Sequence, residues 1–208
     1  MRAKSFSIIA MALAAGTASA QVTITQTNAA APTYATTLNF DEAGGPTGNL
    51  VGNEFAGIGI SNIMGGGGPG NVDDWDTIMG GWGLGSGNSI YGSFGVFIEF
   101  SSDLSEFSTQ YWDTSGPASP FGGGMAMYAF NDGAEVGSVF TSPAYGGLGD
   151  SWFNITTAGG AVFDEVRILG WGFPADGFAD NLSWNAVPSP ASAGLLGLGG
   201  LVAMRRRR

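Results

Sequence analysis

The sequence predicts an all-β fold: a two-sheet antiparallel β-sandwich of jelly-roll-like form, flanked by an N-terminal signal helix and a short C-terminal hydrophobic helix. Three observations carry that expectation. Short apolar runs alternate with a period of two, and clusters of Gly, Pro, Asn and Asp such as NDG, AGG and SGPASPFGGG separate them. No stretch of Ala, Leu, Glu and Lys at helical spacing interrupts residues 21–186. A closed barrel is the alternative, and a β-helix is disfavoured because no fixed-period repeat occurs.

The expected strands run in order from TTLNF (36–40) and GIGIS (57–61) to SFGVFIEF (93–100). In the last of these Phe94, Val96, Ile98 and Phe100 share one face, opposite Gly95, Phe97 and Glu99. EFSTQYW (106–112) follows, then GMAMYAF (124–130), where Met125 and Met127 oppose Ala126, Tyr128 and Phe130. EVGSVF (135–140), SWFNIT (151–156), FDEVRIL (163–169) and FADNLSW (178–184) complete the set. Residues 64–88 are too rich in Gly for a strand and too rich in Trp and Ile for a linker. They read as a surface binding loop, or as a cover closing one edge, with Trp75 and Trp82 beside Asp73, Asp74 and Asp76.

Charge narrows the functions available. Residues 21–187 hold all 17 acidic residues and one basic residue, Arg167, a net charge of −16. Such a surface repels nucleic acid and anionic lipid. With so few cationic partners, the carboxylates must be solvated, bonded to backbone N–H groups or matched by bound cations, and Ca²⁺ comes first among these. Cysteine and histidine are both absent. That removes thiolate chemistry, disulfides, soft metal sites and the commonest general base.

The two ends read as addresses. Residues 1–20 have a basic start at Arg2 and Lys4, an apolar run and the pattern Ala18-Ser19-Ala20, which is the layout of a secretory signal peptide cut between Ala20 and Gln21. At the other end, the 14 uncharged residues 191–204 precede Arg205, Arg206, Arg207 and Arg208. As a helix they would reach about 21 Å, short of the ~30 Å of a hydrocarbon core, so they suit a transient membrane anchor held by cytoplasmic arginines.

Val187, Pro188, Ser189 and Pro190, the Gly/Leu-rich segment and the arginine cluster together resemble the PEP-CTERM sorting signal of bacteria, a tail also catalogued as the ice-binding protein C-terminal domain. The resemblance covers residues 187–208 and departs at Ser189, where that family has Glu. It implies recognition by an exosortase, after signal peptidase has acted, and a host that makes exopolysaccharide. Between the addresses, LNFDEAGGPTGNLVGNEFAGIGIS and FADNLSW are similar to the opening and closing strands of secreted bacterial jelly rolls. The wider sandwich class includes carbohydrate-binding modules.

Candidate sites follow from adjacent first and last strands. That arrangement would bring Asp41 or Glu42 near Asp180 and Asn181, either as a structural Ca²⁺ site or as turn caps on nearby backbone N–H groups. NVDDWD (71–76) is not an EF-hand loop, because Leu84 stands where the closing Glu belongs; it leaves a looser calcium or sugar contact, or solvated turn aspartates. Trp75, Trp82, Tyr111 and Trp112 lie outside clear core alternation and are expected to offer sugar-stacking faces or to cover strand ends. Trp152, Trp171 and Trp184 are expected in the core.

The expected function is therefore non-catalytic: an exported cell-surface or extracellular-matrix protein, associated with exopolysaccharide or binding carbohydrate. The alternative is a secreted carbohydrate-active hydrolase using a carboxylate pair. Ice binding ranks last, since the regular Thr array of a flat ice-binding face is absent.

Overall fold

The computed structural model describes residues 20–27, 30–42, 45–78, 87–113, 124–141, 152–171 and 176–188. Both expected terminal helices lie outside these residues, as do Trp82, Ser189, Pro190 and Arg205 to Arg208. Among the described residues no helix is long and apolar enough to cross a membrane.

The described residues are mostly antiparallel β-sheet, consistent with an all-β class. The strands are β1 (Gln21–Thr27), β2 (Thr36–Leu38), β3 (Gly48–Asn49), β4 (Ile60–Gly65), β5 (Gly68–Pro69), β6 (Asn71–Asp73) and β7 (Ser89–Gly92). After them come β8 (Val96–Asp113), β9 (Gly124–Asn131), β10 (Ala134–Thr141), β11 (Trp152–Ala158), β12 (Phe163–Trp171) and β13 (Gly177–Ala186). One helical turn, α1 (Trp75–Ile78), follows β6.

β8 organises the rest. The two expected strands at 93–100 and 106–112 are one strand of 18 residues. Over Val96–Phe100 it pairs with β4 on one side and β12 on the other, as in Ile63↔Ile98 and Val166↔Ile98. Over Glu106–Gln110 its partners are β11 and β13, as in Ile155↔Phe107 and Trp184↔Phe107. The exchange occurs where Ser101, Ser102 and Asp103 are exposed, and Ser101 N and Asp103 O bond outward to Gly59 O (2.9 Å) and Val187 N (2.8 Å). A strand that changes partners at a solvated step carries one core between both sets. Val96, Ile98, Leu104 and Phe107 are all fully buried in that core, with Phe153, Ile155, Val166 and Ile168 from the neighbours.

Several expectations shift. Residues 57–61 are not one strand: a 3-10 turn at Ala56–Ile58 leads into β4. Phe94 does not join its predicted face, because it is exposed in the turn before β8 with φ 61. In that turn Gly95 N donates to Gly92 O (3.0 Å), and Gly95 has φ 108 with no room for a Cβ, which would lie 2.3 Å from Ile168 O. Residues 64–88 are not wholly a loop: β5 and β6 lie within them, and Val72 is fully buried. β1 was not anticipated and pairs with β11 along its whole length.

Candidate functional site

The strand order places the expected site. β2 pairs with β13, Leu38↔Leu182 and Thr36↔Trp184, so the early strand of the domain lies beside the last one. Two buried hydroxyls fasten the approach to β2. Ser108 Oγ and Ser183 Oγ lie 2.8 Å apart, Ser108 Oγ donates to Pro32 O (2.8 Å) and Ser183 Oγ accepts from Tyr34 N (3.1 Å). Tyr34 Oη reaches Asn154 Oδ1 on β11 at 2.7 Å.

Beyond Leu38 the backbone turns sharply. Phe40 has φ 62, unusual for a bulky residue, and its buried ring meets Phe55 edge-on at 5.6 Å. The turn is clamped: Asn39 Oδ1 accepts from Asp41 N (3.2 Å), Asp41 Oδ1 accepts from Asn88 N (2.6 Å), and Asn88 Nδ2 donates to Phe40 O (3.2 Å). Asp41 and Glu42 are thereby held near Asp180, which lies within β13.

β13 is shaped by a bulge at the same place. Asp180 pairs with Gln110 and Ser183 with Ser108, so Asn181 and Leu182 stand opposite Thr109 alone. Asn181 takes the left-handed conformation, φ 49, that lets the extra residue fit. Because one extra residue reverses the side-chain parity, Ala179 faces the core before the bulge and Leu182 and Trp184 after it. Asp180 therefore points to the face opposite the core, yet is 1% exposed.

Asp180 is a buried carboxyl with local partners: Asn181 N donates to Oδ1 (2.6 Å) and Asn181 Nδ2 to Oδ2 (3.2 Å), while Asn181 Nδ2 also reaches Gln110 Oε1 (2.8 Å). Burial pushes its pKa up to about 7; the Asn181 N–H opposes that rise, and the nearby charges of Asp41 and Glu42 add to it. The expected convergence of Asp41, Glu42, Asp180 and Asn181 is present. Asp41 and Asp180 both accept backbone N–H groups, as turn caps do. Among the described residues, no group of three or more His, Cys, Asp or Glu could hold a metal ion.

Beside these residues lies a cleft of about 410 Å³, lined by Thr33, Asn39, Asp41, Glu42, Trp152 and Asn181 among others. Trp152 is half-buried on its wall rather than filling the core, which corrects its expected role. It stands opposite Gln110, which stands opposite Asp180, so one row across β11, β8 and β13 carries an indole, an amide and a carboxyl. Sequence reasoning missed Gln110, Trp152 and Asn39 as site residues. The alternation of FSTQYW, with Phe107 and Tyr111 on one face, was the signal that would have placed Gln110 on the other.

The remaining candidates do not assemble here. Tyr111 is not an exposed sugar platform: it is buried, its ring stacked on Phe153 at 4.0 Å, because it shares the core face with Phe107. Trp75 is half-buried against Tyr91 (4.8 Å) and Phe178 (5.8 Å), and its Nε1 donates to Asn71 O (3.1 Å). Asp74 caps α1 through Thr77 N (3.0 Å) and Thr77 Oγ1 (2.7 Å), which holds its pKa below the usual value. Asp73 Oδ1 accepts from Asp74 N at 2.9 Å, so two of the three aspartates in this stretch serve the turn. Trp112 lies on β8, but its side chain is outside the described set, as is that of Trp171; Trp184 is in the core as expected. Comparison with family models, curated proteins and solved structures returned no match.

The raised pKa of Asp180 has a sign. The folded state holds its proton more tightly than the unfolded chain, so Asp180's own contribution to stability is fully present below the ordinary value of 3.8 and is lost as pH rises to about 7. In that window the Asp180 contribution approaches a loss of about 1.4 kcal/mol per pH unit. Asp180→Asn keeps the shape without the charge, and denaturant melts across pH 4 to 8 are expected to show that decline flattened in the variant.

Proposed function

We propose that this chain is an exported, non-catalytic protein of a bacterial cell surface or extracellular matrix, and that its β domain associates with exopolysaccharide. The domain is read as a jelly-roll-like sandwich, its two layers being the two partner sets of β8. The observation that carries the binding reading is the open cleft between β2, β11 and β13. It combines the indole of Trp152 with the carboxylates of Asp41 and Glu42 and the amides of Asn39 and Asn181. An aromatic face for the apolar side of a sugar ring, with acceptors and donors for its hydroxyls, is what such a ligand requires.

The boundaries support the export reading. β1 begins at Gln21, the residue that cleavage after Ala20 would make the new N-terminus, and β13 ends at Ala186, just before Val187 and Pro188. Signal peptidase and an exosortase would act at these two edges without cutting a strand. In a host with an exosortase system, protein carrying a C-terminal epitope tag is expected to lose the tag and reach the surface fraction. Deleting residues 187–208 should abolish both the cut and that location; unchanged fractionation would defeat the sorting reading.

Ca²⁺ is proposed as a structural ligand at Asp41, Asp180 and Asn181. The support is chemical: carboxyl groups that repel one another, no basic side chain among the described residues lining the cleft, and the hard oxygen donors that Ca²⁺ prefers. If it binds, excess chelator lowers the melting temperature at neutral pH. A melt indifferent to chelator excludes it.

One observation favours a second reading. A carboxyl with a pKa of about 7 beside the side chains of two other acidic residues resembles the pairing that acid–base hydrolysis of glycosides uses. Asp180 is, however, nearly inaccessible, which weighs toward binding. Incubation with host exopolysaccharide is expected to retain intact polymer without releasing reducing ends. Release that disappears in Asp180→Asn would establish the hydrolase instead.

A further inference from the structure

We propose that the outward face of β8, β9 and β12, centred on Arg167, is a platform for a neutral polysaccharide chain, distinct from the cleft. This goes beyond the preceding reading in surface and in ligand charge, while resting on its premise that the domain meets polysaccharide.

Strand alternation builds the face. Val166 and Ile168 of β12 enter the core, so Glu165 and Arg167 turn outward; on the flanking strands Ile98 and Ala129 are buried while Phe97, Glu99, Tyr128 and Phe130 turn outward. The register then sets one row, Phe97↔Arg167↔Tyr128, and beside it another, Glu99↔Glu165↔Phe130. Three aromatic rings, all half-buried, surround one guanidinium on a sheet face.

The guanidinium is fixed on three sides. It lies 4.2 Å from the Phe130 ring centroid and 5.2 Å from that of Phe97, and its Nε donates to Glu165 Oε1. Among the described residues no hydrogen bond involves its two Nη groups or Tyr128 Oη. Arg167 is the only basic residue between positions 21 and 187, its side chain is 36% exposed, and Glu165 matches its charge.

These features select the ligand. Flat apolar faces spaced across neighbouring strands suit the C–H faces of sugar rings. Free Nη donors next to a carboxylate acceptor match a pair of neighbouring hydroxyls, and the planar fork is already oriented by stacking on the rings. The charge rules out a polyanion, because Glu99 and Glu165 stand beside the only cation on a domain of net charge −16. A neutral glycan meets no such penalty.

Affinity electrophoresis of the full chain in gels containing galactomannan, hydroxyethylcellulose or alginate tests this directly. The native protein and the cleft variant Trp152→Ala should be retarded by at least one of the two neutral polymers and not by alginate. Placed in the Trp152→Ala background, where the cleft no longer contributes, Phe130→Ala, and Arg167→Lys, which keeps the charge but loses the fork, should each bind about tenfold more weakly than Trp152→Ala alone. Melting curves close to native for at least one of these two variants separate lost contact from lost fold. Loss confined to Trp152→Ala overturns the platform and leaves the cleft as the glycan site, whereas no retardation by any polymer overturns both. Retardation by alginate alone overturns the neutral-ligand assignment. A self-association in sedimentation velocity that Arg167→Lys dissolves, without glycan binding, assigns the face to a second copy and overturns the proposal.

Discussion

The structure hangs on the ladder that β8 makes with two different sets of neighbours. Val96 to Phe100 is held between β4 and β12, and Glu106 to Gln110 between β11 and β13, so one continuous backbone transmits position from one set to the other. The apolar residues of both halves meet in one cluster, which includes Ile98, Leu104, Phe107 and Tyr111. A charge placed at Leu104 or Phe107 would lack a partner on both sides of the exchange point, and buried unpaired charge is far costlier than a lost methyl group. The exposed Ser101, Ser102 and Asp103 are where the strand can bend without stranding backbone groups, because Gly59 O and Val187 N satisfy them.

The bulge at Asn181 and Leu182 depends on that ladder and in turn creates the acidic cluster. Without the extra residue, an unbroken alternation through Ala179 would send Leu182 and Trp184 away from the core. With it, both fill the core, and Asp180 is left on the opposite face under Asp41 and Glu42. Thr109 Oγ1 donates to Asp180 O at 3.0 Å from inside the ladder, closing the gap the bulge opens. With Leu182 and Trp184 fixed in the core, it is the parity change of β13 that takes Asp180 off that face, and among the described residues the Asp180 and Asp41 carboxyl groups accept N–H groups of Asn181 and Asn88.

Much of this was legible in the residues, and the failures have physical causes. β9, β11, β12 and β13 fall where their alternation puts them, since each has one face on the core. The adjacency of TTLNF and FADNLSW placed Asp41 beside Asp180. The bulge is not legible, because unbroken alternation puts Phe178, Asp180, Leu182 and Trp184 on one face, and only the partner register takes Phe178 and Asp180 off it. QVTITQT alternates but directly follows the signal segment and carries only two apolar residues, Val22 and Ile24, so its strand signal is weak. β5 is hidden by its glycine and proline, which carry no period-two signal, and β6 by being only three residues long. Tyr111 departs from the expectation because it shares the Phe107 face of β8, a parity that the polar Ser108, Thr109 and Gln110 between them conceal.

The placement of Arg167 gains meaning from the same charge distribution. A single base in a strongly acidic domain could have relieved the repulsion around Asp180, where three carboxylates converge. It sits instead on β12, where Glu165 and Glu99 stand directly opposite one another and would repel without it. Its guanidinium lies over the rings of both Phe130 and Phe97, which are themselves half-buried. The domain thereby carries two differently tuned polar surfaces: a cleft of uncompensated negative charge, suited to a cation or to hydroxyl donors, and a nearly neutral aromatic face with donor and acceptor side by side. A polymer of neutral sugars could engage either surface without opposing the net charge, whereas a polyanion would meet repulsion at both.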